Sequence, residues 1–238
     1  MSASGATVAI MQPTFLPYLG YFELIARADV FVVLDDVQFE RRSWQSRNRI
    51  LTATGELMLG VPVMKHGREA LIRDVEIAAD PPWATSVLAS IRHAYRRRPH
   101  FDAGYRFIEG ALSDPPLRLA DLNCALTRAA AKGMGLKTPF LLSSTLNVAG
   151  RRSERLLGVC QALGAGEYLS TGGSRDYIEA EGVFAAAGLP VRYHVHEPTP
   201  YPQGREPFTP FMGFIDAVMN LGWEATAALV RPPHAQLA

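Results

Sequence analysis

The chain has 238 residues, nearly half of them apolar and a fifth charged, enough for one large domain with its own hydrophobic core. Its formal charge of +1 provides no overall field to recruit nucleic acid or an anionic membrane, so any basic function is local. The N-terminus lacks a basic leader, its first apolar run is cut by Gln12-Pro13, and no later run is long enough to span a bilayer. The expectation is therefore a cytoplasmic protein without a signal peptide or membrane anchor.

Residues 1–6 are small and polar and read as a loose end. Residues 7–11 form a short apolar run suited to a buried strand. The chain then turns at Gln12-Pro13, is stiffened at Pro17 and enters a helix at Gly20, with Tyr21, Phe22, Leu24, Ile25 and Ala28 at helical spacing. Residues 30–34 are continuously apolar and end in Asp35-Asp36. A strand that is apolar on both sides belongs in a parallel sheet covered on both faces, so this is a βαβ unit.

The pattern changes over residues 38–77, which read as an antiparallel insertion. A hairpin turns at Thr54-Gly55, and residues 71–77 add a third strand. Residues 80–135 read as a layer of three helices. The α/β rhythm returns with a strand at 139–143, a helix capped by Ser153, a strand at 167–170, a helix opened by residues 171–175 and a strand at 191–196. A proline-rich passage leads to a last helix and a short one from Trp223. Residues 232–238 read as a flexible tail to a single α/β domain covering residues 1–231.

These elements predict a doubly wound, mainly parallel five-stranded sheet of nucleotidyltransferase type, in the order 3-2-1-4-5. The switch point is expected between the first strand and residues 140–143, with the loop at 170–175 also within reach. Cys124 and Cys160 lie within apolar helical patterns and read as buried, reduced thiols.

Several stretches carry candidate chemistry. The opening loop concentrates Gln12, Tyr18, Gly20 and Tyr21 at the carboxyl end of a strand, where ligands bind in open α/β sheets. Thr171, Gly172, Gly173, Ser174 and Arg175 follow the strand ending at Ser170 and suit a phosphate or carboxylate. Arg42, Trp44, Arg47, Asn48 and Arg49 form a basic stretch able to clamp an anion. Arg96-Arg97-Arg98 ends a helix, where cations suit the dipole, and reads as structural. His194 and His196 alternate on a strand before Tyr201 and Gln203. With Asp35 or Asp36 they have the makings of a metal site, but a hydrogen-bonded pair is the commoner use and no metal is assigned. Asp35, Asp36 and His196 are the candidate proton acceptors.

The stretch around Gly20 resembles the nucleotidyltransferase signature His-x-Gly-His, with Tyr18 and Tyr21 standing where the histidines belong. A neutral tyrosine donates a hydrogen bond but supplies no cation for a phosphoryl transition state. Residues 11–22, 28–39 and 42–50, with Tyr168 to Ser170, Ser174, Asp176, Tyr177, Tyr201 to Gln203, Phe208, Pro210, Ile215 and Asp216, resemble the WbqC-like protein family over nearly the whole chain. Ser46 stands where that family often has Asn.

The resemblance implies a role in bacterial O-antigen, other surface-polysaccharide or natural-product biosynthesis. The expected activity is a transferase that takes a small nucleotide-linked or anionic substrate and passes an acyl or aminoacyl group to an amine or amino sugar. A nucleotidyltransferase working through tyrosines, and a non-catalytic binding or scaffold protein, are the alternatives. No motif specifies a cofactor, and homo-oligomerisation stays open.

Overall fold

The apolar runs become the strands of one sheet and their alternate residues feed two separate cores. The computed structural model describes residues 5–80 and 82–231; the tail expected at 232–238 and the first four residues lie outside the described residues. In chain order the strands are β1 (Ala6–Met11), β2 (Val30–Val33), β3 (Arg47–Thr52), β4 (Gly55–Gly60), β5 (Phe140–Leu142), β6 (Ala165–Thr171) and β7 (Val191–His194). The helices are α1 (Leu19–Arg27), α2 (Trp83–Tyr95), α3 (Phe101–Leu112), α4 (Leu119–Gly133), α5 (Arg152–Ala162), α6 (Arg175–Glu181), α7 (Val183–Ala186) and α8 (Phe214–Val230).

The sheet order is β5-β2-β1-β6-β7 and every pairing in it is parallel. Counted along the chain this is 3-2-1-4-5, the expected doubly wound fold. Val8, Ile10, Val32 and Tyr168 point into the core shared with α5, α6 and α7. Ala9, Phe31, Val33 and Leu169 point into the larger core shared with α1, α8 and the α2–α4 layer. Both faces are covered, which is why these strands read as unbroken apolar runs. Among the described residues no helix is long and apolar enough to cross a membrane.

The switch point differs from the expectation. β5 lies at the sheet edge against β2, with Phe31 opposite Phe140 and the Phe31 N–H on the Pro139 carbonyl at 2.9 Å. The neighbour of β1 on its other side is β6, with Val8 opposite Tyr168. The winding therefore reverses between β1 and β6, and the loop after β6 directly faces the loop after β1.

The insertion is a separate two-stranded antiparallel sheet of β3 and β4. Its two-residue loop, Ala53-Thr54, is closed by Gly55 at φ 131°, a value that a residue with a Cβ rarely adopts. The third strand expected at 71–77 is instead a 3₁₀ turn, Ile72–Asp74, flanked by isolated bridges from Leu71 to Gln38 and from Ile77 to Val63. Alternating burial there comes from single bridges and not from a continuous ladder. The helix expected from Trp223 is the second half of α8, set off by Gly222 at φ 78°.

Candidate functional site

The carboxyl ends of β1, β2 and β6 open into a cleft of about 580 Å³. Gln12 and Thr14 from the loop after β1, and Gln38 to Gln45 from the segment after β2, form one side. Ser170, Thr171, Ser174 and Tyr177 from β6 and its sequel form the other, with Arg152 and Arg155 from the start of α5. The loops following the three strands thus meet at the switch point.

The first wall is built from amides whose orientations follow from one unambiguous donor. The backbone N–H of Glu40 donates to Gln45 Oε1 at 3.1 Å. That turns the Gln45 amide nitrogen away, and it donates to Gln12 Oε1 at 2.9 Å. Gln45 is 2% exposed, whereas Gln12 is on the open surface of the cleft. With its oxygen occupied, Gln12 presents its two Nε2–H donors to whatever enters. Asn123 of α4 secures this arrangement from beneath, donating to the Gln45 carbonyl at 2.8 Å and to that of Pro13 at 3.4 Å. Asn48 on β3 donates to the carbonyls of Phe15 and Leu16 at 3.0 and 2.9 Å, holding the loop where Leu16 has φ 44°. Asn48 is thus a buried tie within the opening loop.

The opposite wall mixes hydroxyls with arginines. Ser174 donates its proton to the Thr171 carbonyl at 2.7 Å, so in the 2.6 Å contact between Ser174 and Ser170 it is Ser170 that donates. Ser174 thereby accepts from Ser170, and Ser170 Oγ also lies 3.1 Å from the Tyr168 hydroxyl, so each serine oxygen keeps at most one lone pair for a ligand. Ser174 therefore does not cap α6 through its side chain. Gly172 lets the wall pass close to Val195, whose Cγ2 would lie 2.8 Å from an added Cβ; Gly173 meets nothing. Arg175 does not line the cleft: its guanidinium sits over the Tyr193 ring at 4.7 Å.

Two arginines missing from the sequence-based candidates do line it. Arg155 is spent on internal contacts, with Nη1 donating to the Val148 carbonyl at 2.5 Å and Nη2 bonded to Asp36. Arg152 pairs through Nε with Glu181 at 2.6 Å, its guanidinium lies 5.8 Å from the Tyr177 ring centroid, and the side chain is otherwise largely exposed. The expected Ser153 cap is replaced by the same Glu181, whose Oε2 accepts the Ser153 backbone N–H at 3.2 Å. A carboxylate from α6 thereby occupies the positive end of α5.

The other expected residues are placed elsewhere. Asp35 is buried and accepts from Ser143 Oγ, Ser144 N and Ser144 Oγ at 3.1, 3.0 and 2.7 Å. Asp36 shares the single Ser143 hydroxyl proton with Asp35, at 2.5 Å, besides pairing with Arg155. These carboxylates tie β5 to β2. Tyr201 and Gln203 donate to Asp216 at 2.7 and 2.9 Å, beneath the proline-rich passage. Arg42 and Arg47 do not line the cleft, while Arg49 pairs with Glu56 at 2.8 Å. Burial pushes both cysteine thiols up to about 12, which keeps them protonated.

Tyr18, Gly20, Tyr21 and His196 make a neighbouring structure. Tyr21 is buried and donates to the Gln12 carbonyl at 3.0 Å. Gly20 leaves room for Tyr18 and His196, since an added Cβ would lie 2.3 Å from the Tyr18 ring and 2.7 Å from His196 Cβ. Behind them Glu23 is bonded to His194 Nε2 and lies 3.0 Å from His196 Nδ1. Among the described residues no group of three or more His, Cys, Asp or Glu is placed to hold a metal ion. Burial works to raise the Glu23 carboxyl, but His196 and His194 outweigh it and hold it below its ordinary range. A depressed carboxyl contributes stability above its unfolded value and loses it as pH falls through the folded one. Glu23→Gln is therefore expected to cost roughly 1–2 kcal/mol near neutral pH. The deficit should fade below about pH 4, as read by urea denaturation at both pH values.

A model of the WbqC-like protein family matches residues 12–228. An uncharacterized protein of Mycobacterium tuberculosis, Rv1507c, is 32% identical over 221 residues, covering 92% of this chain and 95% of the relative. No solved structure matches.

Proposed function

We propose that this chain, which belongs to the WbqC-like protein family, is a transferase that seats an anionic donor in the β1/β6 cleft and passes an acyl or aminoacyl group to an amine. The observation that carries this reading is that donors and acceptors line one cleft. Gln12 Nε2 and the Arg152 guanidinium offer donors to a phosphate or carboxylate. Ser174, which donates to Thr171 and accepts from Ser170, keeps one lone pair for an amine or a sugar hydroxyl. An amino sugar of a bacterial surface polysaccharide or natural product is an acceptor of this kind, and a nucleotide is a fitting carrier for the anionic part.

In such a transfer the amine nitrogen attacks the acyl carbon, a C–N bond forms, and the bond to the anionic leaving group breaks with its electron pair. The amine must also lose a proton. Glu40 is the carboxylate on the cleft wall, and in this reading it takes that proton, since Asp35 and Asp36 are committed to Ser143, Ser144 and Arg155. The nucleotidyltransferase alternative draws less support. The Tyr21 hydroxyl is committed to the Gln12 carbonyl, and Tyr18 lies beside the main cleft and not in it.

Thermal-shift titration with nucleotide sugars, nucleotides and acyl phosphates, followed by mass spectrometry of mixtures containing an amino sugar, tests the proposal. Stabilisation by an anionic donor and an acylated amine product are expected. No stabilisation by any of these compounds would remove it.

A further inference from the structure

Beside the cleft lies a smaller cavity of about 260 Å³ between the opening loop, β3 and the residue before Met212. It shares Met11, Thr14 and Trp44 with the main cleft, so the two are adjoining rooms with a common partition. Its volume is below the range of about 300–1,000 Å³ that holds a whole drug-sized ligand. It is suited to one portion of a substrate whose remainder occupies the cleft.

The chemistry of that portion follows from the wall. Trp44 and Phe211 are 49% and 45% exposed, and both border this cavity. Phe211 is held there at φ 60°, a left-handed conformation unfavourable for a phenylalanine. The polar side chains on the wall are largely engaged already. Asn48 donates to the Phe15 and Leu16 carbonyls and accepts from the Arg49 N–H at 2.8 Å. Tyr21 and Thr14 both donate to the Gln12 carbonyl. Arg49 pairs with Glu56 and reaches the Phe211 carbonyl at 3.4 Å. The Tyr18 hydroxyl makes no hydrogen bond among the described residues. A nucleobase presents an edge of several donors and acceptors, and a site that binds it pairs them; this wall offers the Tyr18 hydroxyl, while Arg49 Nε is unpaired but buried.

The geometry points to an acyl-binding annex: the cavity takes the apolar part of a short aliphatic or aryl acyl group, with the Tyr18 hydroxyl as donor to its carbonyl oxygen. This inference rests on the proposed transferase reading for its place in a reaction, but the binding itself is testable without it. It divides the substrate between two rooms, with anion and amine in the cleft and the acyl tail beyond the partition.

The full chain carrying methyl-¹³C methionine reports on the annex through Met11, assigned with Met11→Leu, while the exposed Met58 and Met64 serve as controls. Hexanamide, an uncharged acyl probe, is expected to shift the Met11 methyl saturably and leave the controls in place. Trp44→Ala and Phe211→Asn should each weaken that binding at least tenfold; asparagine tolerates the left-handed backbone, so the second variant keeps the loop. Saturable binding of uridine without hexanamide, no response to either, or hexanamide binding that both variants retain would each overturn the annex. Hexanamide carries no anion. If it binds while no anionic donor stabilises the chain, the annex stands and the transferase reading falls; the reverse pair of results removes the annex alone.

Discussion

Asp216→Ala is expected to lower the unfolding free energy by about 3–5 kcal/mol, since it leaves several hydrogen-bond donors unsatisfied at about 1–3 kcal/mol each. Asp216 is fully buried on α8 and accepts three hydrogen bonds, from the Tyr95 hydroxyl at 2.7 Å, the Tyr201 hydroxyl at 2.7 Å and Gln203 Nε2 at 2.9 Å. Each donor secures another part of the chain. Tyr95 ends α2 and its oxygen accepts the Leu51 N–H of β3 at 3.1 Å. Gln203 exchanges hydrogen bonds with the backbone of Thr209 at 2.9 and 2.8 Å, closing the proline-rich passage. Alanine leaves the Tyr95 and Tyr201 hydroxyls and one Gln203 N–H without their acceptor, and the hairpin, α2 and the passage loosen together.

For a chain of this length the loss corresponds to a melting-temperature drop of roughly 6–20 °C. Burial raises the Asp216 carboxyl even against its three hydrogen bonds. The folded chain therefore holds a proton over a window in which the unfolded chain has lost it. The stability gap between wild type and Asp216→Ala should widen as pH falls into that window, the opposite sense to Glu23. A gap under about 1 kcal/mol in urea titrations would mean that packing alone secures this region.

The parts of this fold legible in the sequence are those with a one-dimensional signature. Residues 8–10 and 30–33 are apolar on both sides because two cores flank them, and no other arrangement of a short strand needs that pattern. The edge place of β5 has no such signature. It is three residues long and half-buried, and its partner is decided by where α4 delivers the chain. The alternation at 71–77 resembles a strand because burial alternates at isolated bridges as it does along a ladder.

The site was harder to read for a different reason. Tyr201, Gln203 and Asp216 are polar groups in apolar surroundings, which is equally what a binding site and a buried hydrogen-bonding cluster look like in one dimension. Arg152 and Arg155, by contrast, left a usable signal. Cations at the start of a helix oppose its dipole, and two of them in the first turn of α5 call for a partner other than that helix. The partners are Glu181 and Asp36. Gln45, which orients Gln12, has no pattern of its own, because its role consists of two hydrogen bonds spanning 5 and 33 residues.

That orientation leads to the largest effect expected on binding. Gln12→Glu keeps an oxygen for Gln45 Nε2 but places a second, charged oxygen toward the cleft. A donor becomes an anion facing an anionic ligand, and affinity for any phosphate- or carboxylate-bearing compound identified by the screen should fall about 100-fold or more, roughly 3 kcal/mol. Gln45→Glu tests the same logic from the buried partner of Gln12. As a carboxylate, residue 45 still accepts the Glu40 N–H, but its other oxygen demands a donor from Gln12. The Gln12 amide must rotate and expose its own oxygen to the ligand. A carboxyl buried there titrates above its ordinary range, and once protonated it donates to Gln12 Oε1 as Gln45 does. The defect of Gln45→Glu should therefore be present at high pH and relieved as pH falls, whereas that of Gln12→Glu, on an exposed carboxyl, should persist to the ordinary carboxylate range. Isothermal titration of both variants across pH distinguishes them. Equal affinities in wild type and Gln45→Glu at every pH would show that the orientation of Gln12 does not govern binding.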